Sequence, residues 1–106
     1  MIRIRPALAA ALASGAALAV PALAQGPDPN LGRNLAAACA NCHGTNGVSQ
    51  QGMPNLAGQQ RAYLVQQMQD FKTGKRPATI MHQLAKGYTD EQIDALAAYF
   101  SAQKAR

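Results

Sequence analysis

Apolar residues recur along this chain at helical spacing, and no strand-length run alternates apolar with polar positions. The clearest stripe is Ile93, Leu96, Ala97 and Phe100, at i, i+3, i+4 and i+7, and it carries its own start signal. Thr89 with Gln92 three residues later forms a capping box, and Tyr88 ahead of the cap faces Ile93 as a hydrophobic staple. A second stripe, Leu64, Met68 and Phe71, predicts a helix from Gln59 to Thr73 that Gly74 stops, with Tyr63 beside the stripe. Leu31 to about Asn41 is rich in Leu and Ala, free of Pro and β-branching, and therefore of good helical composition. Asp28 or Asn30 is its expected cap. A shorter helical turn, Ala78 to Lys86, carries Ile80, Met81 and Leu84 and ends at Gly87. The stretch from Gly44 to Gly52 has no period and reads as a loop. The pattern therefore predicts an all-α domain of several short helices.

One glycine sharpens that picture. Gly32 interrupts the first helix, where a glycine costs about 1 kcal/mol relative to alanine, so its use there signals a close crossing. The expected partner is the last helix, with Gly32 giving room to the ring of Tyr99 or Phe100. The N- and C-terminal helices are thus predicted to cross.

Composition adds a boundary. Residues 1–24 read as a cleaved secretory signal peptide: Arg3 and Arg5 make a charged start, Ala7 to Val20 an apolar core, and Ala22-Leu23-Ala24 a small-x-small cleavage site. The core is shorter than the roughly 20 residues that span a bilayer, and no basic stop-transfer flank follows it. This implies export to the periplasm and no stable membrane insertion after cleavage. The mature chain, 25–106, is then one small domain of 82 residues, with eight basic residues against five acidic ones where the full chain of 106 has ten. Its mild basicity lacks interleaved stacking aromatics and so gives no nucleic-acid footprint. A bare chain of this size buries only about 60–65% of its unfolded surface, so a cofactor that packs into the core would add stability directly.

The candidate cofactor is written in Cys39-Ala40-Asn41-Cys42-His43. Two thiols at i and i+3 lie on one face of a helical turn, where they can bond covalently to the two vinyl groups of a haem while the next imidazole coordinates the iron. A zinc site would need two further ligands, and the chain has no other cysteine and one other histidine, His82. A thioredoxin-like redox pair would need a βαβ context that the pattern does not supply. Covalent haem, one per chain, is the expectation. Pro54 keeps a carbonyl that can accept from the second ring nitrogen of His43, or it simply stiffens a turn. For the opposite face of the iron the candidates are Met53, Met68, Met81 and His82. Met68 fits the core stripe and Met53 lies close to His43 in sequence, while Met81 and His82 share a segment free to close over the iron.

These residues resemble the class I c-type cytochromes, and among them the small soluble kind related to cytochromes c4 and c553. The resemblance spans the mature chain: Gly32, C-A-N-C-H-G from Cys39 to Gly44, P-N-L-A-G-Q from Pro54 to Gln59, and L-A-A-Y-F from Leu96 to Phe100. The segments Ala78-Thr79-Ile80-Met81 and Ala85-Lys86-Gly87-Tyr88 are similar to those of the cytochrome subunit of flavocytochrome c sulfide dehydrogenase. That subunit often carries two haems, and this chain, with one C-x-x-C-H, resembles one half of it. The family implies a small fold of short helices wrapped around one haem c, with Met81 as the distal iron ligand and His43 as the proximal one.

With both axial positions filled, the iron has no open site, and the implied function is periplasmic one-electron transfer rather than enzyme catalysis. One version makes the chain the haem subunit that accepts electrons from a flavoprotein sulfide dehydrogenase. Having no G-x-G-x-x-G, the chain would leave that catalysis to its partner. Another version is a free-standing carrier serving oxidases or other redox enzymes. A haem enzyme or gas sensor would instead require an open iron site. Lys72, Lys75 and Arg76 form either a docking patch for acidic redox partners or a solvated helix end.

Overall fold

The computed structural model describes residues 13–21 and 26–105, and among these the chain forms four α-helices and no strand. They are α1 (Leu31–His43), α2 (Arg61–Thr73), α3 (Met81–Lys86) and α4 (Asp90–Ser101), with a short 3-10 turn over Thr45–Gly47 after α1. The leader expected over 1–24 lies largely outside the described residues. Its described part, 13–21, has no regular structure, and Leu18 and Val20 are exposed there.

The first helix runs two residues past its expected end, so Cys39, Cys42 and His43 all lie within α1. Gly44 ends it at φ 81°, its N–H donating to the Ala40 carbonyl at 3.0 Å. At the other end Asn30 occupies the cap position without a side-chain cap bond, and the Asp28 carboxylate instead accepts from the Asn30 N–H at 2.8 Å. Gly74 closes α2 in the left-handed conformation, as its placement predicted. At α4 the capping box is complete: the Gln92 N–H donates to Thr89 Oγ1 at 3.2 Å, and the Thr89 N–H to Gln92 Oε1 at 2.9 Å.

Packing runs α1 on α4, α4 on α2, and α2 on α3. Ile93, Leu96, Ala97 and Phe100 of α4 are all buried, as the stripe requires. Gly32 does mark the α1–α4 crossing, and what lies nearest to it is the Ala95 backbone together with the side-chain base of Tyr99. A Cβ there would sit 2.4 Å from the Ala95 carbonyl oxygen and 3.1 Å from the Tyr99 Cβ. The rings of Tyr99 and Phe100 meet each other edge-on, centroids 5.3 Å apart.

Half of the buried apolar residues among those described, Ala36, Ala57, Ala85 and Ala97, are alanines, and the larger ones are Leu64, Ile93, Leu96 and Phe100. So thin a polypeptide core matches the expectation that a bound group completes it. Meanwhile Met53, Tyr63, Ile80 and Leu84 remain about half-exposed.

Two of the three cations at the end of α2 are tied into the fold. Lys72 Nζ donates to the Tyr88 carbonyl at 2.5 Å and lies 3.8 Å from the Asp90 carboxylate, which pins the end of α2 to the α3–α4 corner. Arg76 lies 4.7 Å over the Phe71 ring and donates to Gln67 Oε1. Of the three cations Lys75 alone is exposed, while Lys72 and Arg76 are half-buried and engaged within the fold.

Candidate haem site

Because α1 extends to His43, one helical turn carries both thiols and the imidazole. Cys39 is half-buried against the core cluster of Ala36, Leu64, Leu96, Ala97 and Phe100, and Cys42 is exposed. Burial pushes the Cys39 thiol up, and burial together with its nearness to Cys39 pushes up the Tyr88 phenol. His43 is 8% exposed, the one buried polar side chain among the described residues. Its Nδ1 lies 2.7 Å from the Pro54 carbonyl oxygen. A carbonyl can only accept, so Nδ1 carries the proton and the lone pair resides on Nε2.

The loop between His43 and Pro54 is built to make that contact. The Gly47 carbonyl accepts from the N–H groups of Leu56, at 2.9 Å, and Ala57, at 3.1 Å, which fastens the chain after Pro54 to the turn after His43. Asn55 adds two bonds: its Oδ1 accepts from the Ser49 N–H at 3.2 Å, and its Nδ2 donates to the Ala57 carbonyl at 2.9 Å. Asn46 sits at φ 56°, the one positive-φ residue other than glycine among the described residues, and its Oδ1 accepts from the Tyr99 hydroxyl at 2.6 Å. Asn46, Gly47 and Tyr99 were not singled out as site residues in the sequence. The Asn46-Gly47 pair was the available sign, since both residue types tolerate the left-handed conformation.

Met81 opens α3 and is half-buried, with Ile80 as the cap residue before it. His82 follows it and is also half-buried, its Nδ1 enclosed without a hydrogen-bond partner. Met68 is half-buried on α2, and Met53 is exposed next to Pro54. Since α3 packs on α2 and α1 on α4, the helices bearing His43 and Met81 are joined through the other two and are not packed closely on each other.

A helix that presents two thiols and an Nε2 lone pair, within a small helical domain whose own core is thin, defines a protein that holds haem covalently. The chain belongs to the cytochrome c family, whose model matches residues 29–104, and its cofactor is haem c, for which Cys39, Cys42 and His43 supply the C-x-x-C-H motif. It is 44% identical over 69 residues to the cytochrome subunit of sulfide dehydrogenase from Chlorobaculum tepidum, covering 65% of this chain and 63% of that one. It is 42% identical over 78 residues to cytochrome c4 from Pseudomonas aeruginosa, covering 73% of this chain and 39% of that one. Among solved structures it is similar to cytochrome c4 from Acidithiobacillus ferrooxidans, with a TM-score of 0.62 and 34% identity over 70% of this chain and 50% of that one. The chain thus spans less than two thirds of the length of each of these relatives. Among the described residues no helix is long and apolar enough to cross a membrane.

Proposed function

We propose that this chain is a periplasmic one-electron carrier with a single haem c, exported by a signal peptide over 1–24 that is then removed. The observation that carries the reading is the His43–Pro54 hydrogen bond at the end of a helix that also bears both thiols. Cys39 and Cys42 hold the group as thioethers, His43 Nε2 is the proximal iron ligand, and Met81 is the distal one. The haem supplies a reversible Fe(III)/Fe(II) couple. The protein's share is to orient the imidazole through Pro54, to raise its basicity by that bond, and to offer through Met81 a sulfur that as an iron ligand would favour the reduced form.

Redox proteins are the partners this chemistry calls for. A second reading is favoured by the 44% identity to a sulfide dehydrogenase cytochrome subunit: the chain accepts single electrons from a flavin on a separate subunit. It has no dinucleotide-binding glycine pattern of its own, and thioether linkage leaves it no free thiol, so sulfide chemistry would reside entirely in that partner. The alternative partner is an oxidase or dehydrogenase met transiently by a free carrier.

Expression with haem-attachment machinery tests both levels. A periplasmic protein whose mass rises by one haem, retained under denaturing conditions, supports the carrier. Purification from the native periplasm with flavin absorption in a stable complex supports the subunit, and a lone monomer contradicts it. A chain that stays in the cytoplasm without haem contradicts both.

A further inference from the structure

We propose that the last turn of α4 sets the strength of the His43–Pro54 hydrogen bond, with Tyr99 and Phe100 acting as positioning residues for the axial imidazole. The inference rests on the reading of His43 as an iron ligand and goes beyond it, because neither side chain hydrogen-bonds to His43.

Contacts from Tyr99 and Phe100 hold opposite ends of the loop that carries Pro54. At its start, Tyr99 donates to Asn46 Oδ1 at 2.6 Å and so holds a residue in the left-handed conformation that L side chains rarely adopt. The neighbouring Gly47, at φ 78°, lies against Phe100 so closely that a Cβ would fall 2.7 Å from the Phe100 ring carbon Cδ1. At its end, the Gly58 N–H donates to the Phe100 carbonyl at 2.9 Å. Between these ends, Gly47 accepts from Leu56 and Ala57. The Pro54 carbonyl is therefore carried on a segment whose two anchors both belong to consecutive residues of one helix.

The chemical consequence lies in the imidazole. A firm bond from Nδ1 raises ring basicity and stabilises the ferric state, whereas a loosened one makes His43 a poorer donor and favours the ferrous state. Loss of the Tyr99 hydroxyl or of the Phe100 ring should thus raise the reduction potential. It should also let the Nδ1 proton exchange faster, because the bond opens more often.

The test uses the haem-loaded protein in three variants, with a redox titration and NMR of His43 Nδ1–H exchange in the reduced state. Tyr99→Phe and Phe100→Leu are expected to raise the potential and to speed exchange by about five- to tenfold, the scale of one lost hydrogen bond. Ile93→Val, a change at a fully buried α4 residue outside the cluster around Cys39, is expected to lower the melting temperature with neither effect. If Tyr99→Phe and Phe100→Leu lower the melting temperature while potential and exchange stay at wild-type values, the positioning role is wrong. Should Phe100→Leu fail to hold haem, Tyr99→Phe decides alone, since it removes one oxygen from a half-exposed side chain. Wild-type protein without haem-shifted His43 imidazole resonances would contradict the ligation itself, a result distinct from an unmoved potential.

Discussion

His43 Nδ1 donates to the carbonyl of Pro54 across 2.7 Å, a bond between the last residue of α1 and the loop that returns beneath it. The acceptor is a backbone atom, so the proline ring is not what the imidazole meets. Pro54→Ala is therefore expected to retain the bond and a near wild-type reduction potential. It should lose about 0.4–1 kcal/mol of stability through the freer unfolded chain. Denaturant unfolding and a redox titration on the same sample check this, and a large shift in potential would show that the ring itself orients His43.

Gly32→Ala tests the helix crossing. The added methyl would lie 2.4 Å from the Ala95 carbonyl oxygen, an atom of the α4 backbone that cannot swing aside. Overpacking of this kind costs about 1–3 kcal/mol and outweighs the roughly 1 kcal/mol by which alanine favours a helix. Thermal unfolding should show a net loss; a gain would mean that the helices cross less closely than this.

Thr89→Ala removes the hydroxyl that caps α4, with an expected loss of about 1 kcal/mol. Gln92→Ala should lose less, because it removes the reciprocal bond to the Thr89 N–H and leaves the cap itself in place. The order of the two in urea unfolding is the check.

Arg61 pairs with Asp94 through two hydrogen bonds, Nε to Oδ1 at 2.9 Å and Nη2 to Oδ2, and so ties the start of α2 to α4. Hydrogen bonding from Arg61 lowers the Asp94 carboxyl below its ordinary value of 3.8. A carboxyl depressed on folding stabilises the fold above its unfolded pKa, and that contribution is lost as pH falls through the lowered folded value. Both side chains are exposed, so the effect is small and weakens with salt. The melting-temperature gap between wild type and Asp94→Asn should be present near neutrality, close below pH 4, and shrink in high salt. A gap that widens in acid would contradict the pair.

What could be read in advance was what local chemistry decides. Thr89, Gln92 and the Ile93 stripe act within one helix, Gly74 acts within one turn, and the thiols and His43 are neighbours in sequence, so each was visible before the fold. Gly32 was legible as a crossing but not in detail, since no periodicity tells a carbonyl from a ring on the opposing helix. The contacts of Lys72 were not legible for a related reason. Tyr88 and Asp90, the groups that engage Lys72, lie 16 and 18 residues further on, beyond any local rule. Tyr99 and Asn46 are 53 residues apart, and only the docking of α4 on the loop after His43 brings them together.

The central claim is a haem iron held between His43 and Met81. The weak ferric charge-transfer band at the red end of the visible spectrum, which a sulfur-to-iron bond produces, tests it most directly. Wild type should have the band, His82→Ala should keep it, and Met81→Ala should lose it while remaining covalently haem-loaded. A band absent from wild type, or one that survives Met81→Ala, would contradict Met81 as the distal ligand and with it the account of a carrier closed to substrate at iron.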